Sequence, residues 1–181
     1  MITISLWEPW ASLMAVGAKT IETRHWPTNH RGKLAIHAAK RYQRDQRELR
    51  ECARVSNALA NGGIYSIAAT MGHIVCIVDL CDVRPTEYLM SAAGGLPATG
   101  NNPHEYDFGN YDPKRYGWMT RDVRRLAKPL KVTGRQGLFN APIIDCDRCD
   151  GTGLMEGWNH RDGHPCPHCY GDGIMLGEIP F

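Results

Sequence analysis

The sequence predicts an α+β fold, a small mixed β-barrel with helices packed on it, followed by a short cysteine-rich ribbon. Three observations lead there. Strand-like segments dominate, with two helical segments inserted early, which is not the βαβ alternation of a parallel sheet. Four of the seven cysteines fall in two Cys-x-x-Cys pairs near the C-terminus. The charge is also divided: residues 24–54 carry nine Lys/Arg against three acids, 114–135 eight against one, and 145–181 two against seven. At 181 residues the chain has room for one domain with its own core and an appendage. The expected division is 1–144 and 145–181.

The elements follow in order. Residues 2–7 alternate apolar and polar, as a half-buried strand does. "EPWASLMAVGAKT" reads as a short helix: Pro9 suits its first turn, Gly17 its C-terminal cap, and Trp10, Leu13, Met14 and Gly17 share a face. "TIETRHW" reads as extended. "RGKLAIHAAK" is a strand with Leu34 and Ile36 on one face and Ala35 and His37 on the other. Residues 40–60 read as one helix, with Tyr42, Leu49, Cys52, Ala53, Ser56, Leu59 and Ala60 inward and Lys40, Arg44, Arg47, Arg50 and Arg54 outward. "NGG" ends it. "GHIVCIVDLCDV" is β-branched and long, the strongest strand signal. Residues 85–117, rich in Gly, Pro, Asn and Tyr, form an irregular excursion of the kind that often carries function. Strand, turn and strand follow from Gly117 to about Ile144.

The cysteines point to a metal. An odd number, in a chain whose N-terminus shows no secretory pattern, argues against a disulfide framework. The spacing Cys-x2-Cys-x16-Cys-x2-Cys, through Cys146, Cys149, Cys166 and Cys169, fits one four-thiolate Zn²⁺ site. Four thiolates leave no open coordination position, so the zinc is expected to be structural. Gly151 and Gly171, two residues after each pair, are expected to let the backbone turn and aim N–H groups at sulfur. "CPHC" read as a thioredoxin-like redox site would need a helix after it, which "YGDG" disfavours. His160, His164 or His168 could replace one sulfur, but none is needed. The CxxCxGxG unit, present twice, resembles half of the cysteine-rich zinc domain of the DnaJ chaperones. An acidic ribbon of this kind suits a staple or a protein-docking surface better than a phosphate site.

Basic stretches interleaved with Trp, Tyr and His suggest a polyanionic partner, RNA or DNA. No run approaches the ~18–20 apolar residues of a membrane span, so no membrane partner and a cytoplasmic location are expected. The residues at the front sharpen this. Gly17, Lys19, Glu22 and Arg24 form Gly-x-Lys-x-x-Glu-x-Arg, preceded by Pro9, Trp10 and Ala11 and followed by "RGKLAIHAAK", "GHIVCIVDLCDV" and "KVTGRQGLFN". Together these resemble the ASCH domain, of the PUA-like superfamily of RNA- and modified-base-binding barrels. The resemblance spans about 1–144, the middle excursion least.

The resemblance implies a cleft beside the first helix, lined by Trp10, Lys19, Glu22, Arg24, Trp26, His37 and Lys40. Lys19 and Arg24 suit a phosphate or a base carbonyl, and Glu22 an exocyclic amine. Trp10 and Trp26 read either as packing or as stacking residues, Trp7 as core. Lys19 with Glu22 also reads as a plain ion pair. The resemblance leaves a hydrolase open, with Lys19 and Glu22 as the catalytic pair of a metal-independent ribonuclease or of a modified-nucleoside amidohydrolase. The amidohydrolase pattern has a threonine where this chain has Glu22. Thr20 and Thr23 are displaced by a strand position, and Asp79 or Asp82 would have to supply the second carboxylate. A third reading is an adaptor whose ribbon docks a protein.

Overall fold

In the computed structural model, residues 1–41, 44–91, 104–155 and 163–177 are described, without the side chains of 44 and 45. Tyr42, the Arg44 side chain and His160 lie outside the described residues.

Six strands form one curled, half-barrel sheet. They are β1 (Ile2–Leu6), β2 (Ile21–Arg24), β3 (Gly32–Ala38), β4 (His73–Pro85), β5 (Tyr116–Lys131) and β6 (Leu138–Asn140), in the order β2-β5-β4-β3-β1-β6. Only β1 and β3 run parallel, and the rest are antiparallel. The alternation expected in β3 holds. Leu34 and Ile36 pack with Ile4, Leu6, Leu80 and Trp118, and Ala35 with Ile77, Leu126 and Phe139 on the opposite face.

Helix α1 (Trp10–Ala15) lies on the first face through Ala11 and Met14, while Leu13 joins a separate cluster. It stops where φ turns positive at Gly17, and the Ala18 and Lys19 N–H groups both close on the Leu13 carbonyl. That tight exit swings Lys19 inward and sets the start of β2.

The single helix expected over 40–60 is two. Helix α2 (Arg44–Glu51) and helix α3 (Ala53–Asn61) are separated at Cys52, whose ψ of 129° is extended. Between Leu49 and Val55 no large apolar side chain maintains an inward stripe, and the buried side is re-established at Val55 and Leu59. Cys52 and Ala53, expected inside, are exposed. The excursion retains local order where it is described: α4 (Thr86–Leu89) and a 3₁₀ turn (Glu105–Phe108). After the sheet, β7 (Ile143–Asp145) pairs with β10 (Ile174–Leu176), and β8 (Leu154–Met155) with β9 (His164–Pro165). No helix among the described residues is long and apolar enough to cross a membrane.

Candidate functional site

A cleft of about 540 Å³ lies between α1, β2 and the 3₁₀ turn. Glu22 and Arg24 share one face of β2 by strand alternation. Glu22 is held between two cations: Lys19 Nζ lies 3.5 Å from Oε2, and Arg24 Nε 3.1 Å from Oε1. The Arg24 Nε contact lacks hydrogen-bond alignment, and Arg24 Nη2 donates to the Ser5 carbonyl at 2.9 Å. Lys19 is sealed. Its ammonium donates to the Ile21 and Phe108 carbonyls, the latter at 2.9 Å, beside the Glu22 contact. Two of its donors thus meet protein carbonyls while Glu22 sits at ion-pair distance, and Lys19 positions Glu22 and the 3₁₀ turn rather than reaching outward. Trp10, on α1, lines the same cleft.

The opposite wall is residues 107–110 with Arg115, which donates to the Asn110 and Thr23 carbonyls at 3.1 Å each. The wall is fastened by Glu105, only 4% exposed. Its carboxylate accepts from Thr20 N (2.7 Å), Thr20 Oγ1 (2.8 Å) and Ile21 N (2.9 Å), the backbone that opens β2. Asp107 is tied to Arg54 at 2.7 Å.

The structure divides the residues expected in one cleft. Trp26, His37 and Lys40 line a second, larger groove of about 1300 Å³, which meets the first at Ser5, Trp7 and Arg24. Trp26 is partly packed, edge-on to Trp118 at 4.7 Å. His37 is buried, with Ser5 Oγ at 3.0 Å from Nδ1 and the Val132 carbonyl at 3.1 Å from Nε2. Burial pushes its pKa down, which suits a neutral ring accepting from Ser5 and donating to Val132.

Trp7, read as core, is instead 43% exposed and lines both cavities. The strand ends at Leu6, and the buried Glu8 that follows takes the inward position. The Glu8 carboxylate accepts from Ser12 N (3.1 Å) and Ser12 Oγ (2.9 Å), and lies 2.6 Å from Thr70 Oγ1. Thr23, expected to point elsewhere, reaches the cleft wall, where its hydroxyl accepts from Asn110 N at 3.1 Å. The Thr20 hydroxyl is occupied by Glu105. Asp79 pairs with Arg121 at 2.9 Å and Asp82 with Arg84 at 2.7 Å, and neither lines the cleft.

Cys146, Cys149, Cys166 and Cys169 come together buried, with sulfurs within 4.8 Å of one another. Cys146–Cys166 and Cys149–Cys169 are 3.9 and 3.7 Å apart. Zn–S bonds of about 2.3 Å arranged tetrahedrally require sulfur–sulfur edges of about 3.8 Å, so the four residues fit such an ion and can hold one. The two CxxCxGxG turns are near copies. Gly151 N and Gly171 N return to the Cys146 and Cys166 carbonyls, and Cys146 N and Cys166 N donate to Gly173 and Gly153. Of the glycines, Gly153 (3.3 Å, Cys149) and Gly173 (3.1 Å, Cys169) aim N–H groups at sulfur, not Gly151 and Gly171, while backbone groups of Arg148, His168 and Cys169 act on Cys146 and Cys166. A second grouping, Cys146, Asp147 and His168, adjoins the first, and only its cysteine is buried.

Sequence reasoning missed Trp7, Arg115, Glu105 and the 107–110 wall. The signals available were the basic run that begins at Lys114 and the placement of the wall in the flagged excursion.

Residues 4–129 match the family described as the ASCH domain. Among solved structures the chain is similar to ASCH from Zymomonas mobilis, at 17% identity over 72% of each chain, with a TM-score of 0.41. It is also similar to a mutant form of that protein, at 18% identity over 72% of this chain and 74% of that one, TM-score 0.40. A comparison with curated proteins gives no match.

Proposed function

The chain belongs to the ASCH domain family, and from that premise we propose that it binds nucleic acid. It takes a base of RNA, or a modified base in RNA or DNA, into the cleft between β2 and the 105–110 wall. One observation carries the reading: a partly exposed carboxylate, Glu22, is fixed between Lys19 and Arg24 and faces a wall that bears Arg115. A carboxylate accepts from an exocyclic amine, and a guanidinium donates to a base carbonyl or a phosphate. Arg24 commits one of its five N–H donors to Ser5 and keeps others for a ligand. The cleft volume of about 540 Å³ is that of a small-ligand site.

The hydrolase reading has less support. Lys19, which would have to act on a substrate, is buried and spends its ammonium on two backbone carbonyls and the Glu22 ion pair. The Thr23 hydroxyl is engaged by Asn110. The four cysteines are read as a structural zinc site, closed by four sulfurs, with no part in chemistry at the cleft.

The test uses the partly exposed Glu22 rather than the buried Lys19. Wild type and Glu22→Gln are incubated with labelled RNA, labelled DNA and acetylated cytidine. The expected result is salt-dependent binding without turnover, weakened by about tenfold in the variant, the lower end of one lost base contact. Turnover that Glu22→Gln abolishes would replace binding with hydrolysis. No binding to either nucleic acid at low salt would refute the proposal.

A further inference from the structure

The second groove lies outside the base cleft, and its composition is unusual for a chain of net charge +2. Its lining includes Arg24, Lys40, Arg41, Lys131 and Arg135 and three histidines, and contains no Asp or Glu. Lys40, Arg41, Lys131 and Arg135 are all exposed. None of them forms an ion pair among the described residues, although most other Arg residues of the sheet do or donate to carbonyls.

The sheet register builds this cluster. Ala38 of β3 pairs with His73 of β4, which pairs with Lys131 of β5. The three strands therefore end in one row, and the segments leaving it, 39–41 and 132–137, flank the same opening. The floor is tight. Gly134 lies so close to His37 that a Cβ there would collide with the imidazole and with Ser5 Oγ. Cations without acidic partners gathered on one groove attract a polyanion.

The groove holds about 1300 Å³, above the roughly 300–1,000 Å³ of a small-molecule site. It opens into the base cleft past Trp7, which is 43% exposed, and past Arg24, and both residues line the two cavities. An extended ligand crossing from one cavity to the other passes an aromatic face and a cation at the junction. This is the equipment of single-strand binding, in which a charged groove follows the backbone and an aromatic ring stacks a base.

We propose that this groove, edged by Lys40, Arg41, Lys131 and Arg135, holds the phosphates of a single-stranded nucleic acid adjacent to the nucleotide whose base enters the Glu22 cleft. The inference rests on the proposed function and deepens it: the ligand is a strand, not a free nucleoside, and Arg24 marks where the base leaves the backbone path. Base choice belongs to the cleft, and affinity to the groove.

The test measures fluorescence anisotropy of labelled oligo-A, oligo-C and oligo-U RNA of about 12 nucleotides, across a salt series. The proteins are wild type, Glu22→Gln and the quadruple variant Lys40→Gln/Arg41→Gln/Lys131→Gln/Arg135→Gln. All four groove positions are on the surface, and an unchanged melting temperature confirms that the variant folds. At ~0.7 per neutralised phosphate contact, the slope of log K against log salt falls by up to about 3 in the quadruple variant, and low-salt affinity by about 100-fold, equally for the three oligomers. Glu22→Gln changes the preference among oligomers and leaves the slope in place. An unchanged slope in the quadruple variant, with wild type binding normally, overturns the groove and spares the cleft. Equal affinity for a duplex of the same length overturns the single strand. If wild type binds none of the oligomers, the nucleic-acid reading fails and the groove fails with it.

Discussion

Glu105→Ala should be among the more damaging single substitutions outside the apolar core. The carboxylate accepts from Ile21 N, Thr20 N and Thr20 Oγ1, at 2.9, 2.7 and 2.8 Å. Alanine orphans two backbone donors. Ile21 N is buried, and an unmet buried donor costs about 1–3 kcal/mol. Thr20 is partly exposed, and water recovers part of its loss, leaving about 1 kcal/mol. Relief from burying the carboxylate offsets some of this, so a net loss of about 2 kcal/mol is expected. At about 2–4 °C per kcal/mol for a chain of this size, the melting temperature falls by about 4–8 °C. Glu105→Gln, which keeps one acceptor oxygen, should lose about half as much. Thermal and urea denaturation measure the loss. The substitution also frees the 107–110 wall, so RNA affinity should fall at temperatures where the variant is still folded. A loss below about 1 kcal/mol, with RNA affinity unchanged, would refute the claim that Glu105 fastens the wall to β2.

Two further expectations concern Glu8 and the ribbon. Burial raises the pKa of Glu8 above its ordinary 4.5, against the opposing bonds from Thr70 and Ser12. The folded state then holds this proton more tightly than the unfolded state, so Glu8's contribution is fully present below the ordinary value and is lost as pH rises through the folded pKa. Glu8→Gln should flatten that decline in a stability–pH series, and an identical profile in both proteins would contradict it. Gly173→Ala forces a side chain onto a φ of 67° and drives a Cβ into the Gly151 carbonyl and the Arg124 guanidinium. About one zinc per chain is expected in the wild type. The variant should lose it to a chelator that the wild type resists, and full retention would argue against the paired-turn account of the site.

What was legible in the sequence is what depends on local spacing. The alternation in "KLAIHA", the cap at Gly17 and the Cys-x2-Cys pairs are set by neighbours within a few residues, and each is found where the spacing puts it. The family likeness followed from motifs of the same kind. The helix break at Cys52 was not legible, because periodicity continues through a residue whose backbone leaves the helix. Trp7 reads as core by its size, but Leu6 and the buried Glu8 on either side of it hold the inward positions and turn it outward. The 105–110 wall was hidden because its anchor joins Glu105 to Thr20, 85 residues away.

Charge shows most directly what the fold adds. The run 114–135 reads as a basic face of eight cations, and the structure disperses it. Arg115 serves the cleft wall, Arg121 pairs with Asp79, and Arg125 donates to the Gly62 carbonyl. Arg124 donates to Gly151 of the ribbon, and Lys128 lies 5.0 Å over the Tyr170 ring. The ribbon also sends Asp172 to Ala127 N at 2.6 Å and Lys128 N at 3.1 Å, and Asp145 to Lys33 at 2.8 Å. The acidic tail thus consumes part of the basic surface of β5 by docking on it. Of that run, Lys131 and Arg135 are the cations delivered to the groove, where the register sets them beside Lys40 and Arg41. A polyanion surface inferred from composition would extend over the whole of β5, whereas the ion pairs and carbonyl contacts confine it to one end of the sheet. The same docking ties the ribbon to β5, since Arg124 donates to Gly151 and Asp172 accepts from Ala127 and Lys128 on the strand that carries Arg115 at one end and Lys131 at the other, so removing metal from the cysteines is expected to loosen both ends of that strand.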